Sequence, residues 1–163
     1  TMTEKTATRC ATLCNSICVI LSLILLILQF SPFWQTEEGA VSIQGYVWFP
    51  TNHTGLQNVL RSATGNDAFS VNDVLTMPIL VLLTGVAGIV IGLWKRQKPL
   101  ALLLPTFCGL VGIWGYLVNP VMRLGTNWGL HLGVCVAMAV TGAVGLLALW
   151  RKPKDAAVAP SAT

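Results

Sequence analysis

Two histidine side chains of this sequence could ligate a metal or a haem. His53 and His131 stand far apart along the chain, and two histidines alone do not complete a typical metal site. Haem proteins built from four membrane helices need paired ligands inside the bundle, and only His131 is near such a position. We therefore predict no metal and no cofactor, and we interpret His131 as a structural residue at the membrane interface, hydrogen-bonded to a loop.

Five cysteines offer a second kind of chemistry, at positions 10, 14, 18, 108 and 135. Cys10, Cys14 and Cys18 are spaced by four residues, so they share one face of a helix. Cys10 or Cys14 could be acylated beside a membrane, or the three could bind a soft metal, but we favour reduced thiols packed in a helix interface. The polar segment 31–76 has no cysteine, which argues against tight-junction four-span proteins and against thiol-oxidising membrane enzymes.

Motifs that carry catalysis are missing from the sequence. It contains no GxSxG, no HExxH and no glycine-rich phosphate-binding loop. The adjacent pair Glu37 and Glu38 beside Gly39 is typical of solvated loop charge. We therefore expect no enzymatic activity.

The elements that must position these residues have the composition of a membrane protein. Only 10% of the residues are charged, where about 25% is usual, and the mean hydropathy is +0.70. A membrane helix needs about 20 apolar residues to cross roughly 30 Å of hydrocarbon, and the segments 11–30, 77–94, 99–118 and 129–150 meet this length. The run VILSLILLIL is apolar on every face, unlike a helix of a soluble bundle. The predicted fold class is an all-α integral membrane protein with four transmembrane helices.

Basic residues predict the orientation of these spans, because they collect in cytoplasmic loops. Eight of the ten Lys and Arg flank the same side: Lys5, Arg9, Lys95, Arg96, Lys98, Arg151, Lys152 and Lys154. The N-terminus (1–10), the turn 95–98 and a disordered tail (151–163) are therefore expected in the cytoplasm, with the loops 31–76 and 119–128 outside the cell membrane.

Four tryptophans are expected in the interfacial belts of the bilayer, at positions 34, 94, 128 and 150. The net charge of +4 follows from the asymmetry of the basic residues and does not indicate nucleic-acid binding.

Asp, Glu, Lys and Arg are absent from all four predicted spans. Ion-coupled carriers and voltage sensors place such groups at membrane depth, so the sequence argues against both. The spans also contain few polar residues, among them Ser22, Thr84, Thr106 and Thr141, which does not favour a self-sufficient transport path.

Small residues recur every four positions along the last span. A stripe of this kind lets two helix backbones approach closely in lipid, and the partner could be another span or another protein. Its members are Gly129, Gly133, Ala137, Thr141 and Gly145.

The outer loop 31–76 is expected to fold as a strand followed by a helix. Apolar residues alternate with others from Val41 to Phe49, which predicts a strand that ends at Pro50 and pairs with residues 68–71 or with a partner protein. On this basis Val47 and Phe49 pack inward and Tyr46 and Trp48 face the other way. A helix should begin at Thr54, with Leu56, Val59, Leu60 and Ala63 on one face, and end at Gly65.

A three-residue glycosylation pattern precedes this helix. Asn52, His53 and Thr54 match the N-glycosylation triplet, which could be used if the source is eukaryotic. The alternative is a turn whose residues suit the backbone geometry.

Together these features predict a non-enzymatic accessory or assembly subunit of a larger membrane complex, for example of a solute transporter. It would contact membrane lipid and a membrane-protein partner, through Tyr46, Trp48 and Phe49 and through the small-residue stripe. The alternative is a self-contained homo-oligomeric channel or facilitator for a neutral solute. An enzyme that uses His53 and His131 is a third, weaker hypothesis.

Overall fold

The computed structural model describes residues 3–37, 39–49, 54–65, 72–96 and 98–151, without the side chains of Thr54, Thr64 and residues 72–75. The chain is mostly helical. In order, its elements are α1 (Glu4–Phe30), β1 (Pro32–Thr36), β2 (Gly39–Ser42), α2 (Ile43–Trp48), α3 (Thr54–Thr64), α4 (Asn72–Trp94), α5 (Pro99–Val118), a 3₁₀ helix (Pro120–Leu124) and α6 (Trp128–Trp150).

Four of these helices are long and apolar enough to cross a membrane within the described part of the chain. They are α1, the segment Thr76–Trp94 of α4, α5 and α6, in agreement with the prediction of four membrane-spanning helices. α1 begins earlier than predicted, at Glu4, because the Thr3 hydroxyl caps it by accepting from the backbone N–H of Thr6. α4 also begins earlier, at Asn72. Pro78 therefore lies inside the helix and not in its first turn.

The four long helices form an antiparallel bundle. α1 packs against α4 and α6, and α5 packs against the same two helices. Their outward faces are apolar and exposed, as in Leu13, Ile27, Leu83 and Val140, which is the pattern of helices whose solvent is lipid. We call the end of the bundle that carries β1, β2, α2 and α3 the hairpin end, and the end with the α4–α5 turn the turn end.

Glycine allows close approach between α5 and α6. A Cβ atom at Gly109 would lie 2.8 Å from the backbone nitrogen of Ala139 and 3.1 Å from the Ala139 Cβ. Such contacts replace in lipid the hydrophobic force that drives helices together in water. Gly109 is therefore a packing residue of the bundle itself.

A two-stranded hairpin follows α1 directly. β1 pairs antiparallel with β2, with Trp34 opposite Val41 and Thr36 opposite Gly39. Gly39 has a φ of +129°, which favours glycine at the start of the returning strand. The predicted pairing of this strand with residues 68–71 lies outside the described residues, and the partner strand in the structure is β1.

The predicted strand from Val41 to Phe49 was wrong beyond Ser42. The Ser42 hydroxyl accepts a hydrogen bond of 2.9 Å from the backbone N–H of Gly45, so it caps α2 and ends the strand. Ile43 and Val47 are both buried, and their spacing of four fits a helical face as well as it fits alternation. Periodicity over so short a segment could not separate the two structures.

The predicted helix after the hairpin is confirmed. α3 spans Thr54–Thr64, and Gly65 follows it with a φ of +64°, the left-handed conformation that ends many helices. Leu56 and Leu60 are buried as expected, whereas Val59 and Ala63 are exposed. The packed face of α3 is thus narrower than the sequence predicts.

We predict that Gly109→Leu destabilises the bundle and that Gly133→Leu does not. The first change forces a side chain into the α5–α6 contact, and overpacking of this kind costs about 1–3 kcal/mol. Gly133 has no neighbouring atom within 4 Å of an added Cβ, so it serves as the matched control. Thermal unfolding of the purified variants in detergent measures both, and equal midpoints for the two variants would contradict the assigned packing.

Candidate partner-binding surface

Gln44 is a completely buried side chain whose amide forms hydrogen bonds at both ends. Its Nε2 donates to Oε1 of Gln29 on α1 and, at 3.3 Å, to the carbonyl oxygen of Pro78 on α4. Its Oε1 accepts a hydrogen bond of 3.0 Å from the indole N–H of Trp48. A buried amide without partners is costly, so these bonds fix α2 on the ends of α1 and α4.

Trp48 and Phe49 are the exposed apolar residues that this arrangement holds at the hairpin end. Trp48 is 59% exposed and Phe49 is 62% exposed, and both lie outside the four spans. The indole N–H of Trp48 already has its partner in Gln44, so the ring has a defined position. We call this pair the aromatic edge.

Tyr46 does not belong to the aromatic edge. The prediction that Tyr46 and Trp48 face the same way and that Phe49 packs inward was wrong, because α2 is a helix and residues two apart on a helix point about 200° apart. Tyr46 is fully buried, and its ring lies edge-on to that of Trp34, with 5.8 Å between the centroids. Burial raises the pKa of Tyr46, while a hydrogen bond with Gln57 and the charge of Arg61 act in the opposite direction.

The hairpin is docked on the connection between α5 and α6. The carbonyl oxygen of Phe33 accepts hydrogen bonds from the backbone N–H of Thr126 at 2.8 Å and from its hydroxyl at 3.1 Å. The Phe33 ring packs so closely on Gly125 that no side chain would fit there. The indole N–H of Trp34 donates to the Val121 carbonyl at 3.3 Å, and the ring is buried. The prediction that Trp34 belongs to an interfacial belt was therefore wrong.

His131 lies beneath the hairpin, at the start of α6. A hydrogen bond of 2.8 Å joins its Nδ1 to the hydroxyl of Tyr116 on α5, and the Phe33 ring lies edge-on to its imidazole at 4.9 Å. The predicted hydrogen bond to a loop was thus wrong, since the partner is on a neighbouring helix. His53 lies outside the described residues, and the described part of the chain holds no group of three metal-binding side chains.

The cysteines of α1 occupy helix interfaces. Cys14 and Cys18 are buried and Cys10 is half-buried, with Cys18 Sγ lying 4.0 Å from the Met138 carbonyl oxygen of α6. This supports the interpretation of packed thiols. Of the two residues considered for acylation, Cys10 is the more accessible.

The small-residue stripe of α6 does not lie on a single face. A step of four residues turns a helix by about 400°, so the stripe drifts by about 40° per step and about 160° over its length. Gly129 and Gly133 are open, Ala137 and Thr141 are half-buried, and Gly145 is buried against Cys14 and Leu102. The part of the stripe that is open to a partner helix is its beginning, near the hairpin end.

A polar seam within α1 was missed by the sequence analysis. Asn15, Ser22 and Gln29 are spaced by seven residues and are buried on the face that packs inside the bundle. The Asn15 amide donates to the Gly92 carbonyl of α4 at 2.9 Å. Within the described residues, Asn15 Oδ1, Ser22 Oγ and Gln29 Nε2 have no hydrogen-bond partner. The seven-residue spacing is the signal that could have identified this seam, since it places residues on one helical face.

The remaining predicted sites fall outside the described residues. They are the glycosylation triplet at Asn52 and the tail beyond Arg151.

The four apolar helices and the docked hairpin define a multi-pass membrane protein. Comparison of the chain with protein-family models, with curated proteins and with solved structures gave no match in any of the three. Its function has to be argued from the surfaces described above.

We predict that Gln44→Leu loosens α2 while preserving the bundle. The change removes every hydrogen bond that the amide makes, and loss of a buried hydrogen bond with unpaired partners costs about 1–3 kcal/mol. Hydrogen exchange of residues 43–49 in the detergent-solubilised protein should accelerate at least tenfold. Gln35→Leu is the matched control, because Gln35 is an exposed glutamine of β1. Equal exchange in the two variants would contradict the role of Gln44.

Proposed function

We propose that this protein is a non-enzymatic accessory or assembly subunit of a larger membrane complex, such as a solute transporter. The observation that carries the proposal is the aromatic edge, two exposed rings held in a defined position by a buried amide. Such an edge suits a protein partner with a complementary apolar pocket. Lipid contacts cover the rest of the apolar surface.

Energetics favour a partner for the aromatic edge. Burial of a large apolar side chain contributes about 1.5–3 kcal/mol, and tryptophan is enriched among the residues that dominate binding energy at interfaces. Trp48 is preorganised by its bond to Gln44, so little side-chain entropy is lost when a partner binds. Both features are those of an interface residue.

The open beginning of α6 offers a second contact within the bilayer. Gly129 and Gly133 have no neighbouring atom within 4 Å of an added Cβ, and the apolar side chains of Leu130, Val136 and Val140 are exposed around them. A partner helix could approach the backbone closely at these glycines. Ala137, Thr141 and Gly145 belong mainly to the protein's own packing.

The proposed orientation places both termini and the α4–α5 turn in the cytoplasm of a cell and the hairpin outside its cell membrane. Its support is the charge distribution. The described basic residues at the turn end are Lys5, Arg9, Lys95, Arg96, Lys98 and Arg151, and those at the hairpin end are Arg61 and Arg123. Basic residues near span ends are retained on the cytoplasmic side.

A second candidate function is a homo-oligomeric channel or facilitator for a neutral solute. The polar seam of Asn15, Ser22 and Gln29 supports it, because unpaired polar atoms at membrane depth are typical of solute pathways. The seam is packed, however: Cys18 and Leu25, which lie between these residues on α1, are buried in the bundle. A solute path would require the helices to separate.

We predict that the protein purified from its native cells in mild detergent carries a stoichiometric second protein. Replacing both members of the aromatic edge, Trp48→Ala with Phe49→Ala, should reduce recovery of that partner at least tenfold, because the change removes the apolar contact. Quantitative mass spectrometry of the purified complex measures the ratio. Leu124→Ala is the control, since Leu124 is an exposed apolar residue elsewhere at the hairpin end.

A flux measurement on the same protein distinguishes the facilitator function from the accessory role. Liposomes that contain only this chain would pass glycerol or urea faster than empty liposomes if it were a facilitator. Rapid swelling of such liposomes, together with recovery of a homo-oligomer and no second protein, would contradict the accessory role.

A further inference from the structure

The turn end carries a groove whose lining combines cations with an exposed aromatic ring. Within the described residues it is lined by Leu93, Trp94, Lys95, Arg96 and Lys98. Trp94 is 79% exposed, and the three basic side chains are exposed as well. None of the described residues that line this groove is acidic. We call this surface the turn groove.

The backbone of the α4–α5 turn brings these cations together. The N–H of Lys98 donates to the Lys95 carbonyl at 2.9 Å, a bond that closes the chain into a tight turn between two antiparallel helices. The Lys98 side chain forms no capping bond at the start of α5. The three cations are therefore concentrated over a single short turn.

Trp94 organises the position of one of these cations. The Lys95 ammonium lies over the Trp94 ring, 5.1 Å from its centroid, a cation–π contact. Such a contact leaves the ammonium free to bind an anion, since the ring does not neutralise its charge. A tryptophan at the end of an apolar span also lies at the depth of lipid headgroups.

An apolar path leads from the turn groove along the outer face of α4. Val86, Val90 and Leu93 are exposed, and their spacing of four and three residues places them on one face of the helix. This face lies beside the groove and extends into the span. An occupant with an anionic head and an apolar chain therefore matches both parts of the surface.

We propose that the turn groove binds the phosphate headgroup of an anionic phospholipid, with an acyl chain along the outer face of α4. Arg96 provides the paired N–H donors that suit phosphate oxygens. Lys95 and Lys98, which flank Arg96 in the chain, add positive charge to the same surface. Basic residues beside a span attract anionic lipid in general, and the clustering of three cations beside the exposed Trp94 ring gives one lipid molecule a preferred position.

The test is native mass spectrometry of the purified protein with phosphatidylglycerol and phosphatidylcholine of identical acyl chains. We expect retention of one phosphatidylglycerol molecule at least tenfold above phosphatidylcholine. Arg96→Gln with Lys98→Gln should abolish that preference, and Trp94→Leu should weaken it. The changed side chains are exposed, so the thermal midpoint should stay unchanged.

A charge-matched variant separates a defined site from diffuse attraction. Lys5→Gln with Arg9→Gln removes two charges from the same end of the bundle but leaves the turn groove intact, and it should retain the preference for phosphatidylglycerol. An equal loss in the two double variants would overturn the proposal. Binding of glycerol 3-phosphate to the groove as tightly as phosphatidylglycerol would also overturn it, because the site would then take a soluble phosphate.

Discussion

The structure of the hairpin end depends on the buried amide of Gln44. At the junction between spans and loop, this amide takes partners from α1, from α4 and from its own helix. A polar group enclosed by apolar side chains must find such partners or remain costly. Satisfying all of them at once requires α2 to be helical and to lie across the ends of α1 and α4. The outward position of Trp48 follows from the same bonds.

Two kinds of contact hold the bundle together beneath this junction. Small residues such as Gly109 let helices approach closely, and polar residues on α1 tie it to its neighbours, as Asn15 does with the Gly92 carbonyl. Apolar packing alone gives little specificity in lipid, because the outer faces of the helices are as apolar as the interior. Phe33 and Trp34 then dock on the α5–α6 connection, so the hairpin covers the side chains of His131 and Tyr116.

The sequence was sufficient for features that arise from local composition and insufficient for those that arise from distant partners. The spans follow from the length of each apolar run, and α3 follows from a local apolar pattern closed by Gly65. Trp34 could not be placed by the same reasoning, because its hydrogen bond to the Val121 carbonyl crosses most of the chain. Gln44 was wrongly predicted to lie in a strand for a similar reason. Its hydrogen-bond partners, Gln29 and Pro78, lie on two different spans that are distant from it in the chain. The members of the small-residue stripe of α6 have different surroundings, because a spacing of four residues drifts around a helix.

We propose different roles for the two ends of the protein. The hairpin end offers a fixed aromatic edge, and the turn end offers cations beside a tryptophan. An accessory subunit needs both properties, a specific contact for its partner and a stable position in the bilayer. The uncharged spans between them provide the packed support that keeps the two surfaces in place.

Photocrosslinking from position 48 in living cells tests the central claim most directly. A benzophenone amino acid in place of Trp48, irradiated and analysed by mass spectrometry, should form one dominant adduct with a single membrane protein. The same probe at Leu83, on the exposed lipid-facing side of α4, should give no such adduct. Adducts with lipid alone at position 48, or the same scattered adducts at both positions, would contradict the account.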